Sequence, residues 1–435
     1  MKLNNKTYKI ITLGCKVNAY ETDAIAENFK SEGLKEASEG ENVDIALINT
    51  CSVTSTSDQK SRQQIRRLIK HHPEATIVVM GCYSQINQNL AAEIPEIDVV
   101  VGTSNRHKIL DLIKQHHDSK QQVIEVDKDS RIFEYEELQY TSVTNHARAY
   151  LKIQDGCDNF CTFCIIPMTR GRLRSRKALE VIKEAKDLVA RGYKEIVLTG
   201  IHTGGYGRDQ ENYTFTDLVK DILRACPALY SLRISSIEEN EITDELLHLI
   251  KSDERMAHHL HIPLQAGSDE ILHKMNRHYN TGKFVDKIDK IRNIIPDIAI
   301  TTDVIVGFPG ESDDLFNETI NTIKRVNFAE LHVFPYSVRT RTPAARMALQ
   351  VDPAVKKTRV HQLLELSEQL KAHYYSLFKD QNLKVLIETF DEKINAFTGR
   401  TSNYMVVKVN SDLDLAHNVI NVKFNPTSIS QLLDS

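Results

Sequence analysis

The sequence holds no apolar run long enough to cross a bilayer as a helix, and its first residues, Met1-Lys2-Leu3-Asn4-Asn5-Lys6, lack the apolar stretch of a signal peptide. Both absences lead to the expectation of a cytoplasmic protein with no membrane partner. Net charge is scarce as well: 55 basic residues face 59 acidic ones, leaving −4 at pH 7. That excludes a basic footprint spread over the whole chain, so any RNA must be held by local patches. Cysteine is sparse, at seven in 435 residues. In a reducing compartment so few are expected to be ligands or core residues rather than disulfides. The rest, 41% hydrophobic and 26% charged, is the composition of a globular chain with room for two or three cores.

Three of the cysteines are concentrated in one loop, Gly156-Cys157-Asp158-Asn159-Phe160-Cys161-Thr162-Phe163-Cys164-Ile165-Ile166-Pro167, with the spacing C-x3-C-x2-C. Thiolates are soft ligands, and a loop this short can turn three of them toward one centre. On a [4Fe–4S] cluster three thiolates leave one iron open. Zinc would want a fourth protein ligand, which the loop does not supply. An open iron can chelate the amino and carboxylate groups of S-adenosylmethionine, whose reductive cleavage releases a 5′-deoxyadenosyl radical. Buried or zinc-bound cysteines are the competing reading. The spacing resembles the signature of the radical-SAM superfamily, with Phe163 at its aromatic position.

Up to about residue 126, short apolar strands alternate with amphipathic helices. Strands are expected at Tyr8–Leu13, Val43–Ile48, Thr76–Met80, Ile97–Val101 and Val123–Val126. Helices are expected at Ala19–Ser31, Ser57–His71, Ser84–Glu93 and from about Arg106. That rhythm predicts an open parallel α/β sheet. Cys15, Cys51 and Cys82 each follow a predicted strand end, and the strand C-termini of a parallel sheet share one edge. The three can therefore meet there and hold a second cluster with an open iron. Taken singly, each is an ordinary buried cysteine.

Residues from Ser130 to Asn145 are polar and acidic and read as a linker. A second βα series follows, with strands at Ala149–Gln154, Glu195–Thr199, Tyr230–Ser235, His258–Ile262, Ala299–Val306 and Glu330–Phe334. Helices fall at Lys177–Arg191, Thr216–Cys226, Thr243–Lys251, Lys283–Ile294 and Asp313–Val326. Six units predict a partial TIM-like (β/α)6 barrel with its chemistry at the strand C-termini. His202 and His261 read better as satisfied loop or core histidines than as ligands, and Cys226 as a small core residue. Val351–Lys379 reads as one long helix. The tail, with alternating stretches at Lys384–Glu388, Ala396–Gly399, Tyr404–Val409 and Val419–Phe424, predicts a small antiparallel β-barrel.

The motifs Thr12-Leu13-Gly14-Cys15-Lys16-Val17-Asn18, Asn49-Thr50-Cys51 and Gly81-Cys82, ahead of the three-cysteine loop, are similar to those of the methylthiotransferase branch of the radical-SAM enzymes. The resemblance runs over nearly the whole chain. It implies three domains: residues 1–128 carrying the auxiliary cluster, 142–375 forming the radical-SAM barrel, and 380–435 forming a TRAM-like RNA-binding module. In that module the usual glycine-led turn is altered to Arg400-Thr401-Ser402-Asn403-Tyr404. It implies two [4Fe–4S] clusters, S-adenosylmethionine near Phe163, Gly200, Ser235, Glu238 and Gln265, an electron donor such as a flavodoxin or ferredoxin, and a monomer. The implied reaction uses two molecules of S-adenosylmethionine. One methylates a sulfur carried at the Cys15/Cys51/Cys82 cluster, and the other is cleaved at the Cys157/Cys161/Cys164 cluster.

Members of the family act on N6-isopentenyladenosine 37 of tRNA, on a ribosomal-protein aspartate, or on N6-threonylcarbamoyladenosine 37 of tRNA. The run Gly14 to Thr22, with Asn49-Thr50-Cys51-Ser52-Val53-Thr54 and Lys60-Ser61-Arg62-Gln63, is most similar to the last. A non-catalytic iron–sulfur RNA-binding or redox-sensing protein is the alternative of another class. For RNA, three basic runs stand out: Lys60, Arg62, Arg66, Arg67 and Lys70; the alternating Arg170, Arg172, Arg174 and Arg176; and Arg339 with Arg341. Alternate spacing would line guanidinium groups along one edge as a phosphate or stacking track, whereas any single run could be a solvated face. Arg170, Arg172, Arg339 and Arg341 are the expected partners of a threonylcarbamoyl carboxylate in the anticodon loop.

Overall fold

The computed structural model describes residues 5–87, 89–130, 133–138 and 147–433. The chain forms two compact units, one of Met1–Val143, Gln154–Arg176 and Ser337–Ala345, the other of Thr144–Ile153, Lys177–Tyr336 and Arg346–Ser435. The first unit begins with β1 (Thr7–Thr12), α1 (Lys16–Ser31), β2 (Lys35–Glu36), β3 (Ile45–Thr50), α2 (Ser55–His71), β4 (Thr76–Gly81), α3 (Cys82–Ile86), α4 (Leu90–Glu93), β5 (Val99–Val101), α5 (Ile109–Ser119) and β6 (Val123–Glu125). All six strands are parallel, in the order β2-β1-β3-β4-β5-β6. β3 is buried throughout because both faces of the sheet are covered. Its alternate residues Ile45 and Leu47 join Val78, Met80 and Phe29 in one core, while Ala46 and Ile48 join Ile77, Val79 and Ile65 in the other.

The helix expected over Ser84–Glu93 is instead the pair α3 and α4. Asn87 leaves helical geometry, and its side chain bonds the Tyr83 hydroxyl and the Asn89 amide. Such local side-chain bonding competes with the helical ladder. The linker read at Ser130–Asn145 lies largely outside the described residues. Its described part, Ser130 and residues 133–138, is not a passive connection: Leu138 is buried, and the Tyr20 hydroxyl donates to its carbonyl.

The chain continues through β7 (Arg148–Lys152), β8 (Gln154–Asp155), α6 (Ile166–Thr169) and β9 (Arg174–Ser175), with β8 and β9 paired as an antiparallel ribbon inside the first unit. The second unit carries β7 and then α7 (Ala178–Ala190), β10 (Glu195–Thr199), α8 (Phe215–Ala225), β11 (Ser231–Ile234), α9 (Asp244–Ser252), β12 (His259–His261), α10 (Asp269–Lys274), α11 (Thr281–Ile294), β13 (Ala299–Val306), α12 (Asp313–Val326), β14 (Glu330–Pro335) and α13 (Pro353–Ser376). Parallel ladders join β7-β10-β11 and β12-β13-β14, and the parallel bridges Leu232–Met256 and Ser236–His261 link the two sets. Six strands in sequence order, open between β7 and β14, make the expected partial barrel. Helices α8, α9, α11 and α12 start where the sequence supplies caps: Thr214 with Asp217 as a capping box, then Thr243, Asn280 and Ser312.

The tail forms β15 (Asn382–Asp391), β16 (Ala396–Thr401), β17 (Val406–Val409), β18 (Val419–Lys423) and β19 (Gln431–Leu432), antiparallel in the order β17-β16-β15-β18-β19 around Val385, Ile387, Phe397, Val407 and Val422. The altered turn still closes. The Thr401 hydroxyl bonds Asn403 and accepts from the Met405 amide, and Tyr404 takes φ +68° and stacks on His259 at 4.5 Å.

Arg233 ties this sheet to the barrel. It donates to Glu195 at 2.8 and 3.1 Å and to the Ser402 and Thr401 carbonyls at 2.9 and 3.3 Å. Burial opposes ionisation of Glu195, but Arg233 and the hydrogen bonds to the carboxylate outweigh it and hold that carboxyl below its ordinary range. Arg233→Ala should therefore cost about 3–5 kcal/mol in urea unfolding at neutral pH, because a buried carboxylate loses its hydrogen-bonded cation and keeps only Arg148 at 3.8 Å. Since the folded-state value is lowered, the pair's contribution is full above the ordinary glutamate value of 4.5 and is lost as pH falls through the lowered one. The deficit of the variant should shrink over that acid range.

Candidate functional site

The strand order of the first unit reverses between β1 and β3, and the crevice at such a reversal is where open parallel sheets bind ligands. Cys15 lies three residues past β1, while Cys51 and Cys82 come immediately after β3 and β4. The ends of those strands are bound together: the Thr50 hydroxyl donates to the Met80 carbonyl at 2.6 Å, and Asn18 Nδ2 donates to the Leu13 and Thr50 carbonyls at 2.7 and 3.1 Å. Gly14 has φ +109°, and a Cβ there would stand 2.9 Å from Cys51 Cβ and 3.2 Å from its sulfur. Cys51 thus packs directly on the backbone next to Cys15. Burial pushes the Cys82 thiol up to about 11 against the pull of Arg170, and Cys51 and Cys15 are close enough to push it further. The three expected thiols lie within electrostatic reach of one another.

The second cysteine set also lies in the first unit. Asp155 ends β8, and Gly156 turns with φ +71° where any Cβ would strike the Arg172 carbonyl at 1.8 Å. The Cys157 amide donates to the Gly171 carbonyl, the Asn159 amide points at the Cys157 sulfur at 3.5 Å, and a turn closes from Cys164 N–H to the Cys161 carbonyl at 3.0 Å. All three cysteines and Phe163 are partly exposed. Among the described residues no three His, Cys, Asp or Glu side chains are grouped around a single ion. A cubane cluster differs from such an ion in that each thiolate binds its own iron, so its donors stand farther apart. The donors present, two sets of three free thiols, are soft and suit that group better than a hard mononuclear ion.

The alternating arginines do not form an outward track, which corrects the sequence expectation. Arg170 and Arg106 are fully buried, and Arg174 and Arg176 are nearly so. Arg170 donates to Glu21 at 2.7 and 3.1 Å, to Asp155 at 3.2 Å and to Asn18 Oδ1 at 2.7 Å, and its Nε points at the Cys82 sulfur at 3.4 Å. Arg106 pairs with Glu21 and, at 2.8 Å, with Glu136. Arg174 reaches Asp155 at 3.4 Å, and Arg176 reaches Glu137 at 2.7 Å. Arg172 alone of the series is exposed, stacked over Phe160 at 4.6 Å and paired with Asp158. Arg170 is thus committed to internal acids and faces no outside carboxylate.

Arg339 needs the same correction. It is buried and donates to Asp58 at 2.7 Å and to Ser52 at 2.8 Å, beside Cys51. Its segment, Ser337–Ala345, bonds Ser55 through Ser337 and the Thr162 carbonyl through the Ala344 amide at 2.9 Å, so it touches both cysteine loops. Arg341 on this segment is exposed and, among the described residues, unpaired. On α2, Lys60, Arg66, Arg67 and Lys70 are likewise exposed and unpaired, while Arg62 reaches the Tyr83 hydroxyl.

In the second unit, Gly200, Ser235, Glu238 and Gln265 all follow strand ends. The Ser235 hydroxyl is spent on the Leu198 carbonyl at 2.9 Å, Glu238 is paired with Arg277, and Gln265 takes φ +63° with its amide on the Asp303 carbonyl. His202 is buried against Glu241, His261 bonds Thr301 and Asp303, and Cys226 is buried behind α8. The sequence missed Asp155 as a site residue, named Arg106 only as the start of a helix, and showed Asn18 and Glu21 only inside a motif.

Residues 7–102 match the family described as uncharacterized protein family UPF0004, and residues 151–323 match the radical SAM superfamily. The chain is 48% identical to the threonylcarbamoyladenosine tRNA methylthiotransferase MtaB of Bacillus subtilis, covering 95% of this chain and 92% of that one. It is 38% identical to a tRNA-2-methylthio-N(6)-dimethylallyladenosine synthase of Thermoanaerobacter pseudethanolicus, covering 98% and 92%. Among solved structures it resembles the radical S-adenosylmethionine methyltransferase TsrM of Kitasatospora setae, with a TM-score of 0.56 at 14% identity over 78% of this chain and 77% of that one, a likeness of fold.

Gly14→Ala should strain the backbone and displace Cys51. A loss of about 1–3 kcal/mol in chemical denaturation is expected, with faster alkylation of Cys51 by a thiol probe.

Proposed function

The chain belongs to the tRNA methylthiotransferase family, and on that premise we propose that it inserts a methylthio group at C2 of N6-threonylcarbamoyladenosine 37 of tRNA. The observation that carries this reading is the 48% identity to the Bacillus subtilis threonylcarbamoyladenosine enzyme over 95% of the chain. The enzyme is a transferase of the radical-SAM type, with two [4Fe–4S] clusters and S-adenosylmethionine as cofactors. We assign Cys15, Cys51 and Cys82 to the auxiliary cluster and Cys157, Cys161 and Cys164 to the radical-SAM cluster. When bound, these groups supply the electron, the cleavage of S-adenosylmethionine and the sulfur to be transferred. In the second unit, Gly200, Ser235, Glu238 and Gln265 are assigned to S-adenosylmethionine, and Phe163 lines the cysteine loop of the first. The functional division into residues 1–128, 142–375 and 380–435 follows the same reading.

The substrate base lies in an anticodon loop, where an unpaired base can be splayed out at modest cost. Its threonylcarbamoyl group carries a carboxylate that an isopentenyl group lacks, so the site needs a reachable cation. With Arg170 and Arg339 engaged internally, Arg341 and Arg172 are the residues we assign to that carboxylate. The exposed cations of α2 and the small C-terminal barrel are assigned to RNA phosphates. We place the enzyme in the cytoplasm as a monomer, reduced by a flavodoxin- or ferredoxin-like donor. Among the described residues no helix is long and apolar enough to cross a membrane.

The two cysteine sets should separate chemically. Cys157→Ala, Cys161→Ala or Cys164→Ala should abolish 5′-deoxyadenosine formation. Cys15→Ala, Cys51→Ala or Cys82→Ala should leave that product measurable in chromatographic assays and abolish methylthiolated RNA. Methylthio product from the second group of variants would remove the sulfur-carrier assignment.

For the substrate, mass spectrometry of tRNA nucleosides from cells lacking this gene should show loss of the 2-methylthio form of threonylcarbamoyladenosine, with the isopentenyladenosine product retained. The reverse pattern would move the enzyme to the dimethylallyladenosine branch.

A further inference from the structure

A guanidinium has five N–H donors fixed in one plane. Those of Arg170 are all directed: Nη1 to Glu21 and Asp155, Nη2 to Asn18 and Glu21, and Nε to the Cys82 sulfur at 3.4 Å. With four donors held by oxygen acceptors and the side chain 0% exposed, the group cannot turn away from that sulfur. The pairing extends to the acids around it: Arg106, Arg170 and Arg174 face Glu21, Asp155 and Glu136, so the pocket is balanced with Arg170 present. Balance alone would be met by a cation anywhere among those carboxylates. The Nε–H placed on sulfur is the additional feature, and it is not required by the charge count.

A donor and a positive charge on a ligand sulfur withdraw electron density from it and favour the reduced cluster. We propose that Arg170 is a positioning residue of the auxiliary cluster, which fixes the Cys82 sulfur through its Nε–H and raises the midpoint potential of that cluster's one-electron couple. The inference rests on the assignment of Cys15, Cys51 and Cys82 to that cluster. It gives the buried arginine a role in the chemistry of sulfur transfer that a surface cation could not fill, since water would screen the charge.

The test uses the full-length chain with Cys157, Cys161 and Cys164 changed to Ala, reconstituted with iron and sulfide so that it carries one cluster. That parent is compared with its Glu21→Gln/Arg170→Met derivative, which removes one negative and one positive charge and so keeps the pocket balanced. Iron content is measured, and the couple is titrated with dithionite and followed by electron paramagnetic resonance. The double variant should retain its iron and become at least tenfold harder to reduce, a fall of about 59 mV for one electron. Arg170→Lys, which keeps the charge, should recover part of that fall. An unchanged midpoint with the cluster in place would overturn the role. So would loss of iron from both Arg170 variants, which would make Arg170 a residue of the fold alone. Absence of a cluster from the parent itself would instead overturn the assignment of the three cysteines.

Discussion

The first unit depends on a buried set of ion pairs centred on Arg170. A charge taken out of water is tolerated only if paired and hydrogen-bonded, and removing one partner typically costs several kcal/mol. Here the partners come from α1, from β8, from the segment 133–138 and from the turn after α6, so no stretch of sequence is electrically complete without the others. That requirement explains why Gln154–Arg176, which continues from a barrel strand in sequence, folds with the N-terminal sheet. It also explains why both cysteine sets belong to one unit. Asp155, the last residue before the Gly156 turn into the second set, and Cys82 of the first set are held by the same guanidinium.

The fold was legible where physics is local. The short apolar runs of β3 and β4, the alternation of strand and helix along the barrel and the cysteines at strand ends are short-range signals, and the elements and their order follow from them. The arginines were not legible, for a definable reason. Spacing by two places side chains on one edge only along an extended strand, and within residues 170–176 the strand is just Arg174–Ser175. Arg170 stands at the end of α6, and its acids lie up to 149 positions away. One sequence shows that a cation exists but not which carboxylate it will meet. The break at Asn87 was lost in the same way, since a side chain bonding its own neighbours outweighs helical periodicity.

A formal charge of −4 conceals a segregation. In the first unit most arginines near the cysteines are spent inside, balanced by acids. Lys60, Arg66, Arg67 and Lys70 on α2 and Arg341 on the Ser337–Ala345 segment are by contrast exposed and, among the described residues, unpaired. Composition counts both populations equally, although only the second can exchange counterions for phosphates. The surface available to a polyanion is therefore set by pairing inside the molecule as much as by the number of basic residues.

The Ser337–Ala345 segment has a temporal consequence. It bonds the loop after Cys51 through Arg339 and the loop of Cys161 and Cys164 through Ala344, yet it is encoded after the last barrel strand. During synthesis the N-terminal sheet can form early, because its strands and helices are neighbours in sequence and domains fold as they emerge. The cysteine loops stay without their strap until nearly four-fifths of the chain has left the ribosome. Closure of both sites is then tied to completion of the barrel, and an interrupted chain would carry all six cysteines without the segment that fastens them.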